Sequence, residues 1–205
     1  MDLGFDFFKL DFLYASSLIP FNGKTRCETQ DAAYQLLRDI LKDKLILGCG
    51  ANVINSYQKF DYLRIGPDVS LSFDDIAIMR LFHRERVSTK VTLQNTVYRS
   101  IFNKHLFYND PDVFLLRDNN IKLSKEQRQA LTMINALFGG VLMTSDNIKE
   151  YDDEKKAILG DALKVFQNGK VLSYTTRKHM IEIAYEVDGV TNTLTYDTKK
   201  GVFIK

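Results

Sequence analysis

Five apolar, strand-like runs, several of them nearly continuous, mark the first three quarters of the chain, at Phe5 to Tyr14, Lys44 to Gly48, Tyr62 to Gly66, His105 to Tyr108 and Gly140 to Thr144. Strands that are apolar on both sides suit a parallel sheet covered on both faces, not the alternation of a half-solvated antiparallel sheet. Helical stretches separate the runs. Glu28 to Lys42 places Ala32, Leu36, Ile40 and Leu37, Leu41 on one side, with Thr25 or Thr29 as the cap. Ser124 to Leu137 opens with Gln127 three residues after Ser124, the spacing of a capping box. Strand alternating with helix implies crossover helices, and in the barrel form of this architecture the working residues stand at the carboxyl ends of the strands.

From about Ala162 the pattern changes to period two, with turn pairs at Asn168-Gly169, Asp188-Gly189 and Lys200-Gly201. This predicts a small antiparallel β domain. The expected fold class is α/β followed by that β domain, with the division at residues 1–155 and 156–205 and a charged helix or linker surface at Asp152 to Lys156.

With 205 residues, 45% of them hydrophobic, the chain can bury one sizeable core. Its 28 basic and 26 acidic side chains give a formal charge of +2, and neither sign forms a long run, so neither nucleic acid nor a membrane surface is expected as a partner. Cys27 and Cys49 are too few for a disulfide framework, which favours a reduced compartment such as the cytoplasm. Met1 to Phe8, with Asp2 and Asp6 and no basic leader, do not read as a signal peptide, and no segment approaches the roughly 18 apolar residues of a membrane span.

Polar residues cluster at the ends of the apolar runs. In Lys9-Leu10-Asp11-Phe12, alternation puts Lys9 and Asp11 on one face, where a neighbouring ammonium favours an ionised carboxylate able to attack a carbon centre, or forms a plain buried ion pair. In Arg64-Ile-Gly-Pro-Asp68, Gly66 and Pro67 end the ladder and turn Asp68 outward, with Arg64 as a donor to a ligand hydroxyl or to Asp68 itself. Tyr108-Asn109-Asp110-Pro111-Asp112 is a dense polar strand exit. There Asp112 is an acceptor for ligand hydroxyls or Lys9, and Asn109 and Asp110 lock the loop by turn-type bonds.

Gly48-Cys49-Gly50-Ala51-Asn52 lacks the third glycine of a dinucleotide-binding turn and no clear capped helix follows it, so no cofactor is expected. The small residues there let a ligand approach the backbone, and Cys49 reads as a small buried hydrophobe. No spacing specific to a metal site is present, and His83, His105 and His179 stand singly.

Taken in order, Phe8-Lys9-Leu10-Asp11-Phe12, Leu47-Gly48-Cys49-Gly50, Arg64 to Asp68, Asn109 to Asp112 and Gly139 to Asp146 resemble the successive strand-end motifs of α-galactosidase (melibiase) type glycoside hydrolases of families 27 and 36. The resemblance spans roughly Phe5 to Asp146. It implies a partial (β/α)8 TIM-type barrel, about strands 4 to 8, in residues 1–155, and hydrolysis of terminal α-galactosides with retention and no cofactor.

By the same resemblance Asp11 matches the nucleophile and Asp68 the general acid/base. Lys9, Cys49, Gly50 and Arg64 fall at substrate-binding positions, with Asn109, Asp110, Asp112 and Asp146 in support. Retaining enzymes of this kind work with two carboxyl groups about 5 to 5.5 Å apart. The implied partner is an oligosaccharide or glycoside, and a half-barrel is expected to need either a second copy or a missing N-terminal barrel half to cover its open edge.

Two other readings are set beside this one. The first is a non-catalytic carbohydrate-binding or truncated half-barrel protein. The second is a Schiff-base lyase with Lys9 as the amine, which would require that lysine to be desolvated.

Overall fold

The computed structural model describes residues 3–74 and 87–204, and in it the apolar runs become short parallel strands. Met1, Asp2 and His83 lie outside the described residues. The chain divides into two compact units, Met1–Arg64 with Ile101–Asp110, and Ile65–Ser100 with Pro111–Lys205.

The first unit is built on four parallel strands in sequence order, β1 (Phe7–Leu10), β2 (Leu45–Gly48), β3 (Tyr62–Arg64) and β4 (Tyr108–Asp110). Helix α1 (Arg26–Leu41) forms the first crossover. Thr25 caps it, accepting from Glu28 N–H while Glu28 returns a bond to the Thr25 amide, so two of the orphan donors at its start are satisfied. A one-turn helix, α2 (Val53–Ser56), is capped by Asn52, so the glycine-rich turn does lead into a capped helix, though one too short for a dinucleotide fold.

Cross-strand partners fix which side chains share a face. Leu10, Gly48, Leu63 and Asn109 are aligned on one side, and Lys9, Leu47, Tyr62 and Tyr108 on the other. The Gly48 side is closed by Phe60, whose ring would lie 2.6 Å from a Cβ on Gly48 and which packs against Tyr34 of α1 with ring centroids 4.8 Å apart. Any larger residue at position 48 would push Phe60 off the sheet. At the amino ends of the strands Arg38 binds the carbonyls of Lys42, Lys44 and Lys59 and the carboxylate of Asp61, which in turn accepts Ile46 N–H.

The strands are shorter than the apolar runs, the third ending at Arg64 and that of the last run beginning at Met143, and two of the shifts fall at polar strand-end residues. The first run is strand only to Leu10, because Phe12 takes a left-handed conformation (φ 54°) and Leu13–Ser17 coils into a 3-10 helix. The fourth strand begins at Tyr108, later than expected. His105 N–H and Leu106 N–H both donate to Phe102 O, and Lys104 has φ 65°, so the chain is turning until Phe107. Asn109 and Asp110 are thereby drawn into the ladder in place of the loop.

In the second unit α3 (Thr89–Tyr98) precedes a two-stranded parallel pair, β5 (Val113–Phe114) and β6 (Met143–Thr144), joined through α4 (Lys125–Phe138). Ser124 and Gln127 form the capping box read from the sequence. Helix α5 (Asp153–Asn168) follows, capped by Asp152. It corrects the expectation of strands from Ala162, since Ala162 and Val165 are one helical step apart and both buried.

Four antiparallel strands close the unit, β7 (Gly169–Arg177), β8 (Met180–Val187), β9 (Val190–Asp197) and β10 (Val202–Ile204), in the order β10-β9-β8-β7. Asp188-Gly189 forms the expected two-residue hairpin turn, with φ of 50° and 78°. Asn168-Gly169 instead marks the end of α5, and the turn that was not expected lies at Lys178, φ 53°. Ile181, Ile183 and Tyr196 of the sheet share one core with Leu93 of α3, Phe114 of β5, and Leu131 and Ile134 of α4.

Candidate active site

Extending the register of the first sheet by one residue brings Asp11, Cys49, Arg64 and Asp110 to a common level at the carboxyl ends of β1 to β4, on the face that carries Lys9. Main-chain bonds from Cys49 N–H to Leu10 O (2.8 Å) and from Leu13 N–H to Cys49 O (3.1 Å) carry the pairing past the strand ends. The Cys49 thiol reports the same gathering. Burial pushes its pKa up to about 11, Arg64 and Lys9 pull it down, and Asp110 and Asp11 add to the rise. It is a protonated, buried thiol at neutral pH, as expected of a small hydrophobe.

Asp11 is exposed, and its Oδ1 accepts the N–H of Phe12 at 2.7 Å. Among the described residues no ion pair joins Lys9 to Asp11; the carboxylate has turned onto the left-handed Phe12 instead. Gly50 has φ 64°, and a Cβ there would stand 2.9 Å from the Tyr14 ring, so glycine is required both by conformation and by space. Arg64 donates from Nε to Asp110 Oδ2 at 2.7 Å, with the two side chains 6% and 0% exposed. Asp110 thus pairs with the guanidinium within the sheet, while Asn109 points to the opposite face and donates its N–H to Asn103 Oδ1 at 3.0 Å.

In the second unit Asp68 is exposed, directly after Gly66-Pro67. The stretch around it is held from three sides. Arg99 donates to Ile65 O, Thr92 Oγ1 donates to Pro67 O at 2.7 Å, and Asp112 Oδ2 accepts Val69 N–H at 2.7 Å. The Asp146 side chain is fully buried and accepts from Leu116 N–H, Arg117 N–H, the Arg117 guanidinium and Tyr151 O–H. It ties the exits of β5 and β6 together. Burial, and then the bond to Asp146, hold the Tyr151 hydroxyl well above the usual tyrosine range.

Asn103, Thr92 and Arg99 were not singled out in the sequence. Each bonds a main-chain group, Asn103 six positions away and Thr92 and Arg99 25 and 34 positions away, and no local pattern announces such a bond.

Two cavities lie elsewhere. One of about 380 Å³ opens at the amino ends of β3 and β4, lined by Arg38, Phe60, Asp61, His105 and Tyr108 among others, at the end of the sheet opposite Asp11. The other, about 230 Å³, lies among the ion-paired side chains Asp118, Arg128, Asp152 and Lys155. Among the described residues no group of three His, Cys, Asp or Glu side chains is placed to hold a metal ion, and no helix is long and apolar enough to cross a membrane.

No family model matches the chain. Solved structures do. The α-galactosidase of Thermus thermophilus, in complex with p-nitrophenyl α-D-galactopyranoside, matches 93% of this chain at 26% identity with a TM-score of 0.72, over 37% of its own length. The same enzyme in complex with stachyose matches 79% at 30% identity with a TM-score of 0.61, over 35% of its length. α-Galactosidase I of Mortierella vinacea shares the fold over 96% of this chain, with 14% identity and a TM-score of 0.71, over 53% of its length. The chain therefore spans about a third to a half of these proteins. An α/β part with parallel sheets, ending in a four-stranded antiparallel sheet and superposing on α-galactosidases over most of its length, gives this chain a partial α-galactosidase-type glycosidase fold.

Proposed function

We propose that the chain is part of a retaining glycoside hydrolase for terminal α-galactosides, with residues 1–155 supplying about strands 4 to 8 of a (β/α)8 barrel and residues 156–205 the β extension. The observation that carries this reading is the level of Asp11, Cys49, Arg64 and Asp110 on one face at the carboxyl ends of parallel strands, where barrel enzymes place their chemistry. The Thermus enzyme it resembles was solved with p-nitrophenyl α-D-galactopyranoside and with stachyose, which supports a glycoside as substrate.

In the first step an Asp11 carboxylate oxygen bonds to the anomeric carbon as the glycosidic C–O bond breaks, and the proton of Asp68 passes to the departing oxygen. In the second, Asp68, now a carboxylate, takes a proton from water as that water attacks the anomeric carbon, and the bond to Asp11 breaks to restore its carboxylate. Two inversions leave the configuration retained. Arg64, fixed by Asp110, and Lys9 supply hydrogen-bond donors for sugar hydroxyls, while Cys49 and Gly50 let the sugar approach the backbone. Lys9 is exposed rather than desolvated, which disfavours its use as a Schiff-base amine.

One observation favours the non-catalytic reading. On the sheet face of Lys9, Phe7 and Leu45 are each 41% exposed and Tyr108 is 44% exposed, whereas parallel sheets are ordinarily covered on both faces. A missing barrel half or a second copy would cover them.

The deciding test is release of p-nitrophenol from p-nitrophenyl α-galactoside by the folded chain, compared with Asp11→Ala with and without azide. Turnover that Asp11→Ala abolishes and azide partly restores is expected. A folded wild-type chain without turnover leaves the non-catalytic reading standing.

A further inference from the structure

A carboxyl group that must hand a proton to a leaving oxygen has to be held within hydrogen-bond reach of it, and a side chain on a turn is only as well placed as its main chain. Asp68 follows Gly66-Pro67, past the end of the described strand β3. The residue after it, Val69, donates its N–H to Asp112 Oδ2 at 2.7 Å, and Asp112 is 8% exposed.

Asp112 is itself anchored. Its carbonyl accepts from Asn135 Nδ2 at 3.1 Å, and Asn135 is fully buried on α4. Its backbone has φ 72°, a left-handed conformation that favours glycine and that aspartate tolerates better than most residues. A carboxylate is therefore kept, at a position suited to glycine, with one oxygen on the amide next to Asp68.

We propose that Asp112 is a positioning residue for Asp68, acting through the main chain of Val69. The inference rests on the glycosidase reading, in which Asp68 is the acid/base. It assigns Asp112 an internal task, distinct from accepting a sugar hydroxyl or pairing with Lys9. Thr92, through Pro67 O, holds the other side of the same turn.

Two substitutions separate the tether from the fold. Asp112→Gly suits the left-handed backbone and removes the acceptor, while Asp112→Asn leaves an oxygen to accept from Val69 N–H. Each is assayed on melibiose, whose leaving group needs protonation, and on p-nitrophenyl α-galactoside, whose leaving group needs little. Asp112→Gly is expected to lower kcat/KM on melibiose by about 100-fold and on the aryl glycoside by less than about five-fold, with Asp112→Asn near wild type on both.

Loss of general packing would lower both substrates alike, so equal losses overturn the inference, as does an Asp112→Gly variant that keeps full activity on melibiose. An Asp112→Asn variant as impaired as Asp112→Gly also overturns it, since the tether would then be intact. Wild-type protein with no turnover on either substrate removes the glycosidase reading itself, an outcome distinct from active wild type with an unaffected Asp112→Gly.

Discussion

Arg64 Nε lies 2.7 Å from Asp110 Oδ2, joining β3 to β4 through an ion pair whose side chains are almost wholly removed from water. Breaking such a pair leaves one charge buried without its counterion, which costs more than the pair itself contributes. Asp110→Ala is therefore expected to destabilise the chain by about 3–5 kcal/mol. Urea unfolding checks it, and a loss below about 1 kcal/mol would mean that the pair is solvated in solution.

Cys49 links burial to pH. Its folded pKa, about 11, stands above the ordinary value of 9.0, so above pH 9 the unfolded thiol loses its proton while the folded one keeps it. Stability from this group is present below pH 9 and is lost as pH rises through 11, by up to about 1.4 kcal/mol per pH unit. Other groups titrate there too, so the measurement is the difference between wild type and Cys49→Ala in unfolding free energy from pH 8 to pH 10.5. The gap should change in favour of Cys49→Ala as pH rises.

The same burial predicts thiol reactivity. With a disulfide reagent at pH 8, exposed Cys27 should react first, and Cys49 only on unfolding. Prompt labelling of two thiols in native protein would contradict the buried placement of Cys49.

Tyr196 is fully buried in the core of the second unit, and its hydroxyl has no hydrogen-bond partner among the described residues. Burial, and then the neighbouring charge of Asp197, raise its pKa far above the usual range. Tyr196→Phe removes an unsatisfied polar atom and keeps the ring, so thermal unfolding should show a gain of about 1 kcal/mol. A loss of stability would reveal a partner for the hydroxyl.

Asp68→Ala should slow melibiose far more than p-nitrophenyl α-galactoside, by about 100-fold or more on the former. Equal losses on the two substrates would argue against Asp68 as the acid.

Local spacing made part of this protein legible. Thr25 with Glu28 and Ser124 with Gln127 are capping boxes because a side chain three residues away reaches the first free amide of a helix, whatever surrounds it. Asp188-Gly189 is a hairpin turn because those two residues tolerate positive φ. The apolar runs showed that parallel strands exist, and the polar residues at their ends marked where chemistry could sit.

Packing decided the rest. The chain turns through Phe107 and so begins β4 at Tyr108, which makes Asp110 a partner of Arg64 across 46 positions of sequence. The carboxylate of Asp112 meets the amide of Val69 across 43. Ala162 and Val165 belong to a helix because both find a core on one side of it. A sequence fixes bonds between near neighbours through covalent geometry, but strand register and the pairing of distant charges follow from which surfaces exclude water together, and that is settled only when the tertiary structure forms.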